Sequence, residues 1–380
     1  MTMVRAAVTE KPGRIALHEF AMPDPEPGAV VMKVHYSGIC GTDKHTFRGE
    51  SKQYAGTPHE RDLTYPLICG HENVGEVVAL GGEVLDSEGQ PLKIGDRIVP
   101  GANVACGACH FCRNDYPYYM CENLQDYGNS LHCGTAPHLF GGWAEHMYLL
   151  PGSKLFRVPD DLPDHVAVLT EIMSVTHGVE TAQSLLGLIG GSRFGQTIAV
   201  LGVGPLGLCH LIKSRFLDCG ELVAIDRFPS RLETASELGA TLTLNAGELG
   251  DEELVARVRE HTVRGADVVH DCSGVPQTFV NALKMVRPGG VVVESGAFVD
   301  LGPVEVNPNR DICTTNVTVI GVGGEKATAY ASSMELLARN RDRLPLDRIV
   351  THRMALEDAG DALELSQRDG AMKVVLDPLL

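Results

Sequence analysis

Cys40, in the run Cys40-Gly41-Thr42-Asp43, and the pair His71-Glu72 supply a thiolate, an imidazole and a carboxylate from two separated stretches of the chain. That mixed donor set suits a tetrahedral zinc ion, and three protein ligands leave one position open, the mark of a catalytic rather than a structural zinc. A zinc so exposed acts as a Lewis acid and lowers the pKa of a hydroxyl presented to it. Glu171, in Leu169-Thr170-Glu171-Ile172-Met173, is a second carboxylate for this centre; it binds the zinc directly, holds its water, or caps the helix it opens. A different chemistry is implied by Cys106, Cys109, Cys112 and Cys121, spaced x2, x2 and x8. Four thiolates on one short loop leave no open position, so such a zinc supports structure only. Cys133 is a fifth candidate, and Cys121 is preferred to it. Two zinc ions per chain are therefore expected.

Gly202-Val203-Gly204-Pro205-Leu206-Gly207 follows the apolar run Thr197–Leu201 and leads into a helical pattern. The first glycine permits a tight turn, the second lets backbone approach a pyrophosphate, and the third lets helix and strand pack closely. The phosphates then rest on unpaired N–H groups at the helix N-terminus. Asp226 lies nineteen residues beyond Gly207 at the end of the next apolar run, where its carboxylate can accept from both ribose hydroxyls and repel a 2′-phosphate. Arg227 beside it could instead partner that phosphate. NAD is favoured over NADP.

These groups need elements to hold them. Residues 1 to about 170 carry short β-type runs broken by Gly and Pro, such as 29–34, 75–80 and 96–100, which suggests an antiparallel, barrel-like domain. After Val168 a helix over 171–186 gives way to alternating strands (197–201, 222–226, 242–245, 268–271, 291–294, 317–320) and helices, the pattern of a doubly wound parallel sheet. The tail offers a helix over 331–340 and a strand over 373–376 and is expected to return to the first domain. The division is thus 1–170 with 322–380, a zinc lobe at about 101–125, and an inserted nucleotide-binding domain over 171–321.

A length of 380 residues fits two domains. The net charge of −17 argues against nucleic acid or an anionic membrane as partner, while a dinucleotide is held by local backbone donors. The N-terminus lacks a signal-peptide core, no apolar run approaches the ~20 residues needed to cross a bilayer, and five of the eleven cysteines crowd into positions 106–133. A cytoplasmic chain using thiolates for metal is expected.

The chain resembles the zinc-dependent medium-chain dehydrogenases, the alcohol, sorbitol and threonine dehydrogenase superfamily. The resemblance rests on Gly38-Ile39-Cys40-Gly41-Thr42-Asp43, Gly70-His71-Glu72-Asn73-Val74-Gly75, the cysteine lobe, Gly141-Gly142-Trp143-Ala144-Glu145, the glycine-rich loop and Arg287-Pro288-Gly289-Gly290. It implies an α/β fold in which a GroES-like catalytic domain carries an inserted Rossmann domain. It makes Cys40, His71 and the acidic pair Glu72/Glu171 the catalytic zinc environment, and places Leu206, Asp226 and Arg231 against NAD. Ser273 and Gly296 look like strand-end backbone near the nicotinamide. Glutamate at 171 is similar to the polyol, sugar and threonine branch, so a secondary alcohol oxidised to a ketone is implied. The family's members are dimers or tetramers, and a homotetramer is favoured. Two departures stand out: the fourth lobe cysteine comes one residue later than the commonest spacing, and the family's Glu-Pro-Leu is Glu171-Ile172-Met173 here.

A proton must also leave the reacting hydroxyl. Thr42, two residues after Cys40, could aim its hydroxyl there from a strand or turn, and His45 could pass the proton to solvent. Asp43 reads as an anchor for the loop. The polar segment 46–65, with Arg48, Lys52, His59, Glu60 and Arg61, reads as irregular and as bordering the substrate cleft. Two rival readings are a zinc-free quinone-type NADPH reductase, which would lack ligands at 40 and 71, and a non-enzymatic dinucleotide-binding protein.

Overall fold

A computed structural model describes residues 2–189 and 191–380. The chain forms two compact units, one made of Met1–Ser174 with Lys326–Leu380 and the other of Val175–Glu325. Both observed edges lie a few residues later in the chain than the expected ones, 174 against 170 and 325 against 321, and Glu171 therefore belongs to the first unit.

In the first unit Val30–Gly38 is the organising strand. It pairs antiparallel with Glu72–Leu80, His146–Leu149 and Lys373–Leu376. The sheet continues outward to Arg97–Pro100 and Leu155–Arg157 on one side and Val350–Met354 on the other. The central strand is apolar along most of its length because both its faces are covered, and Val30, Val31, Met32 and Val34 are all buried. A second sheet holds Arg14–Ala21, Met3–Lys11 and Leu67–Ile68. Trp143, fully buried, sits in the core that joins these elements.

The second unit is a six-stranded parallel sheet in the order Leu242–Asn245, Glu221–Asp226, Thr197–Leu201, Ala266–Asp271, Val286–Glu294, Thr318–Gly321. Numbered along the chain this order is 3-2-1-4-5-6, the doubly wound arrangement whose strand order reverses beside the first strand. Its strands read as continuous Val, Ile, Leu and Ala because helices cover both faces.

Three local expectations change. The helix expected over 171–186 is two helices, Thr170–Val175 and His177–Leu188, parted at Thr176, whose φ of −72° and ψ of 11° leave the helical basin. Two β-branched residues in succession, Val175 and Thr176, weaken the helix there. Thr42 lies in a helix, Gly41–Arg48, rather than a strand or turn. Segment 46–65 is less irregular than it reads, since Lys52–Gln53 and Arg61–Asp62 pair as a small antiparallel hairpin.

Candidate functional site

Cys40 ends the loop after Val30–Gly38 and caps the helix Gly41–Arg48. A reciprocal pair of bonds fixes it: its sulfur accepts the Asp43 backbone N–H, and its own N–H donates to Asp43 Oδ2 at 2.8 Å. The sulfur thus sits at the positive end of a helix. Asp43 is buried and also accepts the Gly70 N–H at 3.2 Å, tying the Cys40 loop to the His71 loop. Its Oδ1 lies 3.9 Å from His71 Nδ1. Gly70 has a φ of +92°, and a Cβ there would stand 2.4 Å from Ser37 Oγ and from Trp143 Cδ1. Only glycine lets the chain turn so tightly against the tryptophan and deliver His71.

The ligand atoms of Cys40, His71 and Glu72 all lie within 4.8 Å of one another. Glu171 stands outside that trio, yet it is buried and close enough to act electrostatically on His71 and on Lys373. Burial disfavours a charged imidazole, but Cys40, Asp43 and Glu171 outweigh it and hold His71 well above the usual histidine range. Such an excess of anionic groups around one imidazole favours a cation among them. The donors and the surrounding charge fit zinc.

Glu72 has a second partner that the sequence did not announce. Lys373 Nζ lies 2.6 Å and 2.5 Å from its two carboxylate oxygens and donates a third bond to the Ile39 carbonyl at 3.0 Å. Both side chains are essentially inaccessible to solvent. Glu72 is thus within reach of the centre while its charge is balanced by a buried lysine, and Glu171 remains the alternative carboxylate. The hint was a lone lysine inside the apolar run Ala371-Met372-Lys373-Val374-Val375-Leu376.

Thr42 Oγ1 lies 3.8 Å from Cys40 Sγ. His45 follows one turn later on the same face of the helix. Its Nδ1 lies 2.7 Å from Glu50 Oε2, and about a quarter of its side chain is exposed. Segment 46–65 borders a cavity shared with residues 124–150, whose lining includes none of Cys40, Thr42, His71 or Glu171.

The sulfurs of Cys106, Cys109, Cys112 and Cys121 also gather within 4.8 Å of one another. Separations of 4.0, 3.5 and 4.0 Å (106 to 112, 109 to 112, 109 to 121) compare with the about 3.8 Å expected for a tetrahedron with Zn–S bonds of about 2.3 Å. Backbone N–H groups point at these sulfurs, from Ala108 to Cys106 and from Cys106 and Asn123 to Cys121. The Ala108 bond leads in drawing the Cys106 thiol down to about 6. The donors and spacing fit a closed zinc site. Cys133 lies outside it and donates to the Pro66 carbonyl at 3.3 Å.

In the second unit Gly202 leaves Thr197–Leu201 with a φ of +80°, and Gly204 caps the helix Pro205–Phe216 without any side-chain bond. The first N–H groups of that helix are left for a ligand, and Pro205 sits where no N–H is needed. A Cβ at Gly204 would meet nothing nearer than the Arg231 guanidinium at 3.4 Å, so the space beside this glycine is open. A Cβ at Gly207 would be 1.9 Å from the Gly202 carbonyl, so the third glycine is fixed by helix packing. Leu206 opens the helix and its carbonyl accepts from His210.

Asp226 ends Glu221–Asp226, accepts the Phe228 N–H at 3.0 Å and lies 3.6 Å from Arg231 Nη1. Arg227 and Arg231 each place a guanidinium 4.7 Å from the Phe228 ring centre. Ser273 and Gly296 follow the carboxyl ends of Ala266–Asp271 and Val286–Glu294, where ligands of doubly wound sheets bind. Ser273 donates to Asp271 at 2.9 Å, and the Gly296 N–H donates to Glu294 at 3.0 Å. The glycine cradle and the acid beyond it fit a dinucleotide.

Comparison with known proteins agrees with this anatomy. Residues 26–160 match the alcohol dehydrogenase GroES-like domain, and residues 205–339 match the zinc-binding dehydrogenase family. The 5-exo-hydroxycamphor dehydrogenase of Pseudomonas putida is 30% identical over 384 residues, spanning 100% of both chains. An alcohol dehydrogenase from Thermotoga maritima superposes with a TM-score of 0.89 at 30% identity, covering 99% of this chain and 100% of its own. A protein of Sinorhizobium meliloti 1021, solved with NADP bound, superposes with a TM-score of 0.83 at 27% identity over 100% of each chain.

Proposed function

The chain belongs to the family of zinc-binding alcohol dehydrogenases with a GroES-like domain, and from that premise we propose that it oxidises a secondary alcohol to a ketone with NAD. The substrate class is a polyol, sugar, cyclitol or amino alcohol. One zinc serves the reaction and a second holds the cysteine lobe, in a cytoplasmic homo-oligomer for which a tetramer is favoured. The observation that carries this reading is the convergence of Cys40, His71 and Glu72 within 4.8 Å beside buried Asp43.

When bound, zinc supplies Lewis acidity and the nicotinamide supplies the hydride acceptor. Cys40, His71 and a carboxylate from Glu72 or Glu171 would hold the metal. Asp43 keeps the Cys40 and His71 loops in register and faces the His71 ring. Lys373 balances Glu72, so the carboxylate is kept in place without a second cation. The Thr42 hydroxyl takes the proton that leaves the alcohol, and His45, on the next turn and paired with Glu50, passes it to water. In the second unit Asp226 and Arg231 orient the adenosine ribose, with Gly202, Gly204 and Gly207 admitting the phosphates. Asp226 supports NAD; Arg227, next to it, is the observation that keeps NADP as the second reading.

The test is metal analysis followed by a panel of alcohols read by nicotinamide absorbance, with NAD and NADP in parallel. Two zinc ions per chain and turnover of a hydroxylated secondary alcohol are expected; one zinc and no turnover on any alcohol would refute it. In the same assay Thr42→Ala lowers turnover by about 10²-fold or more while zinc content stays constant, and unchanged turnover would remove Thr42 from the proton path.

A further inference from the structure

We propose that the cavity between the hairpin Lys52–Asp62 and the segment 124–150 is a second binding site, one that takes a small carboxylate with an apolar body. The cavity measures about 470 Å³, the size of small-molecule pockets, and its lining contains none of the residues placed in the reaction above.

Arg61 carries the inference. Among the described residues it forms no ion pair, and its one hydrogen bond is from Nε to Gln53 Oε1 at 2.5 Å. Arg5, Arg97, Arg157, Arg287 and Arg353, by contrast, each meet a carboxylate. Arg61 is exposed, yet two contacts hold its side chain in place. Its guanidinium lies 5.3 Å from the Tyr54 ring centre. Gln53 is itself pinned by bonds to the Leu124 carbonyl at 3.1 Å and to Asp126. Tyr54 donates to the Cys121 carbonyl at 3.0 Å and accepts from Leu124 N–H. A chain of side chains anchored on the cysteine lobe thus holds a cation at the cavity edge with its terminal nitrogens uncommitted. A planar fork so held is matched by a carboxylate, which it binds through two parallel bonds.

Two further features narrow the ligand. His132 on the same lining accepts the Gly134 N–H at Nδ1, 3.2 Å away, so the neutral ring carries its proton on Nε2 as a donor. Leu131, Phe140 and Leu150 supply apolar wall, which a bare inorganic anion would leave unused. Asp62, the acid on this lining, is 89% exposed and lies 4.0 Å from Lys52 Nζ, so it does not neutralise Arg61.

The experiment is calorimetric titration of the zinc-loaded protein with octanoate, beside octan-1-ol and inorganic phosphate, and a crystal soaked in octanoate. Octanoate is expected to bind more tightly than either comparison ligand and to appear in this cavity. Arg61→Gln is expected to weaken it by about tenfold or more while zinc content is unchanged. Leu131→Asn, which keeps the cation, is expected to narrow the gap between octanoate and phosphate. The proposal is overturned if octanoate gives no heat at millimolar concentration, if phosphate binds as well, if Arg61→Gln binds octanoate as the parent does, or if the soaked ligand occupies only the Cys40–His71 centre. None of these outcomes bears on the dehydrogenase reading, which is decided by the alcohol panel.

Discussion

At the scale of single residues the buried Glu72–Lys373 pair has the largest energetic stake. Two charges have left water for bonds to each other, and removing one strands the other. Lys373→Met should cost about 3–5 kcal/mol of stability in a denaturant titration, and Glu72→Gln added to it should recover much of that loss. A single variant as stable as the parent would mean that Glu72 finds a different counter-charge. Sequence reasoning named Cys40, His71 and Glu72 because ligand chemistry leaves a signature in residue type and spacing. Lys373 carries no such signature. Its meaning depends on strand Lys373–Leu376 pairing with Ser37 and Gly38, beside the Cys40 loop and some 335 positions upstream, which no local pattern encodes.

Elements explain the glycines. The loop Gly202–Gly207 could be read directly, because each glycine answers a local steric need and the flanking strand and helix are strongly periodic. Gly207→Ala is expected to weaken nucleotide binding by about tenfold or more in a fluorescence titration, since a Cβ 1.9 Å from the Gly202 carbonyl pushes helix and strand apart. Zinc content should be unaffected; unaltered nucleotide affinity would show that the helix can shift without disturbing the cradle. The hairpin at 52–62 was harder to see. Two paired residues per strand give no alternation to detect, and polar composition there imitates a solvated loop.

For the whole molecule the parallel sheet was legible and its acid sensitivity was not, because burial of particular histidines emerges only from packing. Burial, with smaller contributions from Lys213 and His177, pushes His210 down to about 4, and burial and His210 hold the neighbouring His270 well below the usual range. Their depressed folded values mean that the unfolded chain takes up protons first. The share of stability from His210 is full above about pH 6.5 and is lost toward about pH 4, by up to about 1.4 kcal/mol per pH unit, and His270 acts in the same sense. Glu294, raised to about 7 by burial and Asp271, works in the opposite sense, so the informative quantity is a difference. The melting temperature of His270→Asn should fall less steeply with acidification than that of the parent, and equal slopes would discount the histidines. The split of the first unit, which closes only when Lys326–Leu380 joins Met1–Ser174, has a consequence during synthesis. A nascent chain on the ribosome presents the whole of Val175–Glu325 before Lys373 is made, so Glu72 stays without its buried counter-charge until the strand Lys373–Leu376 has been translated.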